Sequence, residues 1–296
     1  MTVSIGTEQP VGVERPVGAT GQTPARRRIR VRAARPGERL GGTGPLAWHV
    51  GQDDGVELVH RFTTADICDD VLVGALTSLI DIGVLSGRDD FETVAVRIVE
   101  TCAGTVDRAW SAFYDNTLRS LEHGGSAFAP IHRRARALIE GRSVLEVGSC
   151  FGFLALQLAH EGKEVSACDV DPGAVAMLRR AAARRRVHVR ADVGDATDLG
   201  YSDDSVDTVT LVHLLEHLTA DQALTAIEEA LRVARRRVIV AVPFEEQPSE
   251  HFGHVQALTA DDLRSWAGRV RHGGARVFVD HGGWLVLRPR MVGRHP

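Results

Sequence analysis

The sequence has no long hydrophobic run and few cysteines. None of its apolar runs approaches the roughly 20 residues that a membrane-spanning helix needs, and its N-terminus lacks the pattern of a secretory signal. The four cysteines are Cys68, Cys102, Cys150 and Cys168, and they form no CxxC pair. That spacing argues against a disulfide framework and against a cysteine-type zinc site. We therefore expect a cytoplasmic protein without disulfides.

Lysine is almost absent, because Lys163 is the single lysine and all other basic side chains are arginine. This bias says little about partners, but the formal net charge of -4 argues mildly against a nucleic-acid partner. A composition of 44% apolar and 25% charged residues is typical of a globular protein with one full-sized domain and a smaller module.

The first 140 residues divide into two parts by composition. Residues 1–45 are rich in Gly, Pro and Arg with almost no aromatic residues, which predicts a disordered, mildly basic tail. Residues 46–140 contain the strand-like stretch VELVHRF and then apolar residues at helical spacing, with Thr64 as an expected N-cap and Gly124 as an expected helix stop. The pattern predicts a small helical, winged-helix-like module and a connector.

From residue 141 to 296 the apolar runs alternate between strand and helix patterns, for example SVLEVG, FLALQLAHEG, EVSACDV and AVAMLRRAAARR. This alternation predicts an α/β domain with a doubly wound, mostly parallel sheet. In such sheets a ligand lies beyond the carboxyl ends of the strands, and the first strand-to-helix turn commonly cradles a nucleoside or phosphate. Here that turn reads EVGSCFG.

The EVGSCFG turn resembles the ExGxGxG loop of the class I S-adenosylmethionine-dependent methyltransferases. Glu146, Gly148, Cys150 and Gly152 occupy its four marked positions, with cysteine in place of the middle glycine. Asp169 ends the next strand, where that family binds the ribose of the cofactor. The later GDA segment resembles the family's adenine-contacting segment, and the C-terminal helix and hairpin resemble its antiparallel sixth and seventh strands.

The resemblance implies a seven-stranded sheet and S-adenosylmethionine as cofactor. The cofactor-binding residues that it implies are Glu146, Gly148, Ser149, Cys150, Gly152, Asp169, Val170, Asp195, Ala196 and His213.

The stretch LVHLLEHL contains the HxxEH motif of inverted zinc proteases. That interpretation needs a continuous helix, whereas the preceding VDTVTLV places His213 at the end of a strand, so the protease hypothesis fails. The junction also resembles the ExxEH of magnesium-assisted O-methyltransferases that act on quinone precursors or RNA 3' ends. We favour no metal site, since Glu216 and His217 can equally cap and brace the helix. A divalent metal, if bound, would have as ligands His213, Glu216, His217 and His254, which suit zinc better than magnesium.

An alcohol acceptor must lose its proton during methyl transfer, and a histidine is the usual group for that role. His213, His251 and His254 follow strands of the predicted sheet and are the candidate catalytic residues. His213 ranks first because it directly follows a strand.

The predicted function is therefore S-adenosylmethionine-dependent O-methylation. The FTTADICDDVL module and the PFEEQPSEHFGHVQ loop also resemble the mycofactocin-oligosaccharide methyltransferases of high-GC bacteria, which implies a sugar hydroxyl as acceptor. Two alternatives stay open. One is a metal-assisted methyltransferase of a quinone precursor or RNA, and the other is a non-catalytic S-adenosylmethionine-binding regulator whose N-terminal module touches DNA.

Overall fold

The computed structural model describes residues 28–41, 44–51 and 55–290. Its first three strands are β1 (Ile29–Ala33), β2 (Leu46–Val50) and β3 (Val56–His60). Strand β3 is central, with β1 parallel and β2 antiparallel to it.

Strand β1 lies inside the segment that the sequence predicted to be a disordered tail. That prediction is wrong for Ile29–Ala33, because this strand pairs with β3 and its Ile29 and Val31 pack against the hydrophobic core. Residues 1–27 and 42–43, which belong to the same predicted tail, lie outside the described residues.

Four helices follow, namely α1 (Asp69–Asp81), α2 (Gly87–Thr101), α3 (Val106–His123) and α4 (Ala129–Leu138). Helix α1 begins after Cys68, not at the predicted Thr64, because Thr63 and Asp66 form a turn in which the Asp66 carboxylate accepts from the Thr63 amide at 2.5 Å. Gly124 ends α3 in a left-handed conformation with φ 78°, as the sequence predicted. The helical character of this module is confirmed, and its winged-helix likeness stays a prediction.

The remaining elements alternate as predicted. They are β4 (Ser143–Val147), α5 (Phe153–His160), β5 (Glu164–Asp169), α6 (Pro172–Arg185), β6 (Val189–Val193), β7 (Val206–Val212), α7 (Ala220–Val233), β8 (Ala234–Val242), α8 (Ala260–Arg269), β9 (Gly274–Val279) and β10 (Gly283–Arg288).

These strands form one seven-stranded sheet in the order β6-β5-β4-β7-β8-β10-β9. Neighbouring strands from β6 to β8 pair in parallel, while β10 is antiparallel to both β8 and β9. The central strands are buried along their length, as expected for parallel strands covered by helices on both faces. The prediction of a doubly wound, mostly parallel seven-stranded sheet is confirmed.

A continuous hydrophobic cluster joins the N-terminal module to one face of the large sheet. Its buried members come from both parts of the chain and include Leu72, Phe91, Ile98, Phe113, Val144, Leu154, Ile239 and Trp284. The predicted domain boundary near residue 140 is therefore not a break in the core. All four cysteines are free. Among the described residues, no helix combines the length and the apolar character that crossing a membrane requires.

Candidate cofactor and active site

The turn between β4 and α5 is held in an unusual backbone conformation. Gly148, Cys150 and Gly152 have φ values of 69°, 47° and 70°, all in the left-handed region that favours glycine. Cys150 therefore occupies a glycine-like position with a small side chain. The amides of Gly148 and Ser149 both donate to the carbonyl of Cys168, at 2.9 and 3.0 Å. We call residues 147–152 the glycine loop, and these bonds fix it against the end of β5.

Asp169, predicted to bind the cofactor ribose, also organises the glycine loop. Its carboxylate accepts hydrogen bonds from the amides of Cys150, at 2.7 Å, and Asp171, at 2.9 Å. The side chain is 3% exposed, and burial raises its pKa. Its place at the carboxyl end of β5 is the one predicted, and its contact with a ribose stays a prediction.

Glu146 lies beneath the glycine loop at the end of β4. Its carboxylate accepts from the amide of Ala155 at 2.8 Å, so it satisfies a free donor in the first turn of α5. Burial raises the pKa of this carboxyl group to about 8. The glutamate is therefore largely protonated at neutral pH when the site is empty of ligand.

An open cleft of about 670 Å³ separates the glycine loop from the N-terminal helices. Five sequence-predicted residues line it, namely Glu146, Gly148, Ser149, Cys150 and His213. The opposite wall comes from the N-terminal module and contains Asp69, Thr117, Leu121, Ser126, Phe128 and His132. The structure thus brings the predicted cofactor loop and the first-ranked histidine into one cavity.

His213 directly follows β7 and has a left-handed backbone, with φ 52°. Its amide donates to the carbonyl of Ala241 at 2.8 Å, and its ring packs edge-on against Phe128 with centroids 5.0 Å apart. Nδ1 lies 3.4 Å from a carboxylate oxygen of Glu216. Burial lowers the pKa of His213 to about 3, so the imidazole is neutral at physiological pH.

The other two candidate catalytic histidines do not line this cleft. The ring of His251 packs on Phe252 and Phe91, with centroids 4.1 and 5.8 Å away. Nδ1 of His254 lies 2.7 Å from a carboxylate oxygen of Glu245. Both belong to the segment after β8, which reaches the sheet edge beside His217.

The predicted adenine and ribose contacts lie beyond the cleft lining, after β5 and β6. Val170 follows Asp169 and is 62% exposed. Asp195 is exposed, and its carboxylate accepts from the amide and hydroxyl of Thr197 at 2.8 and 2.7 Å, whereas Ala196 is buried. Their role toward a cofactor stays a prediction.

Glu216, His217 and His254 form a cluster that could hold a metal ion. Each offers one ligand atom, and these atoms lie within 4.8 Å of one another. Nδ1 of His217 faces the carbonyl of Gly253 at 3.2 Å and Nδ1 of His254 faces Glu245, which leaves both Nε2 atoms available. Glu216 is 1% exposed, and neither of its carboxylate oxygens has a hydrogen-bond partner among the described residues. The donor set therefore fits a divalent cation, and three of the four residues predicted for one are together here.

The N-terminal wall of the cleft was missed by the sequence analysis. Helix α3 contacts the glycine loop directly, since the Tyr114 hydroxyl donates to the carbonyl of Phe151 at 3.0 Å. The rings of Trp110 and Phe113 pack on Phe151 with centroids 5.8 and 5.4 Å away. The sequence does show an apolar face on α3. Such a pattern indicates that this face is buried but does not identify the element against which it packs.

Comparison with known proteins gives a match for the central part of the sheet. Residues 144–237 match the model of a methyltransferase domain family. Demethylmenaquinone methyltransferase of Beutenbergia cavernae is 35% identical over 103 residues, which cover 34% of this chain and 40% of that protein. The chain thus spans less than half the length of that relative.

Solved structures with a similar fold have a lower sequence identity to this chain. A protein of Pyrococcus horikoshii is 17% identical, with 58% of this chain and 93% of that chain covered and a TM-score of 0.49. A Thermotoga maritima structure, described as an S-adenosylmethionine-dependent methyltransferase and possible histamine N-methyltransferase, is 15% identical, with 60% and 96% covered and a TM-score of 0.47. Residues 144–237 thus match a methyltransferase domain, and the relative and solved structures that the chain resembles include methyltransferases.

Proposed function

We propose that this protein transfers a methyl group from S-adenosylmethionine to a hydroxyl group of a small-molecule acceptor. The observation that carries the proposal is the cleft in which the glycine loop and His213 face one another. One wall presents the predicted cofactor residues Glu146, Gly148, Ser149 and Cys150, and the other presents the N-terminal helices. A cofactor on the loop and an acceptor against the helices would meet beside His213.

S-adenosylmethionine supplies an electrophilic methyl group carried on a sulfonium. The glycine loop, Asp169 and Glu146 would hold the cofactor, and positioning of the two reactants accounts for most of the rate enhancement in such an in-line displacement. His213 is neutral because it is buried, so its ring can accept a hydrogen bond from the acceptor hydroxyl. With a pKa of about 3, His213 would orient the hydroxyl oxygen, and the proton released on methyl transfer would leave to solvent through the open cleft.

The acceptor that we propose is a sugar hydroxyl of a mycofactocin-type oligosaccharide. Support comes from the family resemblance of the N-terminal module and of the loop after β8, and from the polar groups of Asp69, Thr117 and Ser126 in the cleft wall. Against it, three phenylalanines line the cleft, more aromatic surface than we expected from the sequence: Phe128, Phe151 and Phe153. They favour a flat, aromatic acceptor.

An assay with methyl-labelled S-adenosylmethionine and two acceptor classes, glucose oligomers and a catechol or demethylated quinol, tests the proposal. His213→Phe keeps the ring packing on Phe128 but removes the hydrogen-bond acceptor, and we expect kcat to fall about 100-fold. His251→Phe, whose ring lies outside the cleft, is the control and should leave kcat unchanged. If neither acceptor class is methylated while the cofactor binds, hydroxyl methylation is wrong.

A second candidate is a metal-assisted O-methyltransferase of a phenol or quinone precursor. The observation that favours it is the cluster of Glu216, His217 and His254, whose buried carboxylate accepts no hydrogen bond from the residues that the structure describes. A cation there would supply a Lewis acid near the acceptor oxygen. Two nitrogen ligands and one oxygen ligand suit zinc better than magnesium.

Metal binding is measured by titrating the chelator-treated protein with zinc and reading both stoichiometry and melting temperature. The second candidate predicts about one bound ion and loss of binding in Glu216→Gln, with His251→Ala as a control from outside the cluster. Unchanged turnover after complete metal removal would contradict it.

A further inference from the structure

Asp69, the first residue of α1, is a buried carboxylate to which the proposed function gives no catalytic role. It belongs to the N-terminal module, is 9% exposed and lines the cleft. Its Oδ1 atom has no hydrogen-bond partner among the described residues. Buried carboxylate oxygens in folded proteins are normally paired, so an unpaired oxygen on a residue that lines a cleft favours a ligand that brings a hydrogen-bond donor to this carboxylate.

Ser149 provides an independent sign of the same ligand from the other wall. It lies on the glycine loop, is 6% exposed, and its hydroxyl oxygen also has no partner among the described residues. Asp69 and Ser149 therefore each have one unsatisfied polar atom, and the two residues line the same cleft from different walls. A ligand lying between the walls with polar hydrogens would satisfy both.

The charges in the cleft select the kind of ligand. The titratable residues that line it are Asp69, Glu146, His132 and His213, and no lysine or arginine is among the described lining residues. Glu146 already accepts from the Ala155 amide with one oxygen. Because Glu146 is largely protonated, the negative charge of this lining comes from Asp69, which favours a positively charged group.

We propose that Asp69 accepts a hydrogen bond from the α-ammonium group in the methionine part of S-adenosylmethionine. The N-terminal module would thereby complete the cofactor site, in addition to covering the acceptor. This inference rests on the proposed function. An ammonium group has three N–H donors, so it can satisfy Asp69 and still donate to the glycine loop.

The backbone around Asp69 is well anchored for this task. The Asp69 amide donates to the hydroxyl of Thr117 on α3 at 2.9 Å. The neighbouring Asp70 carboxylate accepts from the Ser126 hydroxyl at 3.0 Å and from the Ala127 amide at 2.8 Å. Asp81, the exposed last residue of α1, is not among the residues lining the cleft, so it serves as the control.

The test compares two ligands by calorimetry on the full chain, S-adenosylmethionine and 5'-methylthioadenosine, which lacks the ammonium and carboxylate groups. We expect Asp69→Asn to weaken S-adenosylmethionine binding about tenfold or more, because a charge-assisted hydrogen bond is lost. Binding of 5'-methylthioadenosine should stay within about twofold of wild type. Asp81→Asn should leave both affinities unchanged.

Unchanged S-adenosylmethionine affinity in Asp69→Asn would overturn the inference. Equal weakening of both ligands would overturn it as well, because Asp69 would then support the fold and not the ammonium group. If the wild type binds neither ligand, the proposed function itself fails, which distinguishes that outcome from a failure of Asp69 alone.

Discussion

At the scale of single residues, the glycine loop depends on positions where a side chain has no room. Gly148 has φ 69°, and a Cβ atom there would lie 2.7 Å from Cδ1 of Leu214, next to His213. Gly162 has φ 81° but nothing within 4 Å of an added Cβ. Substituting each glycine in turn separates two costs. Both substitutions strain a left-handed backbone, but only the one at Gly148 also causes steric overlap.

We expect Gly162→Ala to lower the free energy of unfolding by about 1 kcal/mol, the cost of a left-handed alanine. Gly148→Ala should lower it by a further amount of about 1 to 3 kcal/mol from overpacking, and should abolish cofactor binding because Leu214 must shift. Chemical denaturation and calorimetry measure both effects. Equal destabilisation by the two substitutions would contradict the close packing of the loop.

Glu146 gives a prediction about pH. Its folded-state pKa is about 8, against 4.5 for an unperturbed glutamate, because burial disfavours the charged form. Between these values the unfolded state loses its proton while the folded state keeps it, so this group makes stability fall as pH rises through that window. The slope for one group is about 1.4 kcal/mol per pH unit.

The variant Glu146→Gln keeps an acceptor for the Ala155 amide and removes the titration. We expect its free energy of unfolding to fall less than that of wild type between pH 6.5 and pH 8 when ligand is absent. Measurement above pH 6.5 avoids His213 and His217, whose lowered pKa values affect stability only in more acidic solution. Parallel curves for the two proteins would show that Glu146 is ionised in the fold.

The sequence alone identified one wall of the cleft and missed the other. Glu146, Gly148 and Cys150 were found because they are close in sequence and follow a recognisable strand. Asp69 and Phe128 were not, since their approach to the loop depends on how α1 and α4 pack, and long-range packing leaves no local pattern.

At the scale of elements, helix α3 stabilises the conformation of the glycine loop. The buried Tyr114 hydroxyl donates to the Phe151 carbonyl, and burial raises its pKa, so it remains protonated. We expect Tyr114→Phe to cost about 1 kcal/mol of stability and to weaken S-adenosylmethionine binding several-fold, because the loop loses one of its fixed points.

The control is the other tyrosine of the chain, Tyr201, which lies beside Arg190 and is not among the residues lining the cleft. Tyr201→Phe should leave cofactor affinity unchanged in the same calorimetric titration. Equal affinities for wild type and Tyr114→Phe would show that α3 packs on the loop without stabilising its binding conformation.

The strands and helices from β4 to β10 were predictable because each carries its own periodicity and turn residues. Strand β1 was not predicted, since its sequence, IRVRA, lies in an arginine-rich stretch of tail-like composition. Its pairing joins Ile29 to Val56, and a parallel contact between such distant segments cannot be inferred from local composition.

At the scale of the whole molecule, the N-terminal module and the methyltransferase domain share one hydrophobic cluster. The family match covers residues 144–237, whereas six of the fifteen residues that line the cleft come from residues 69–132. The cleft thus combines residues inside the family match with a wall from residues outside it. We propose that the residues of that wall determine which acceptor binds.

The most direct test of the account is calorimetric titration of the full-length protein with S-adenosylmethionine, with Asp169→Ala measured in parallel. We predict saturable binding at one site in the wild type and its loss in the variant, because Asp169 positions Cys150 and is the expected ribose acceptor. A correctly folded wild type that binds no S-adenosylmethionine would contradict the account.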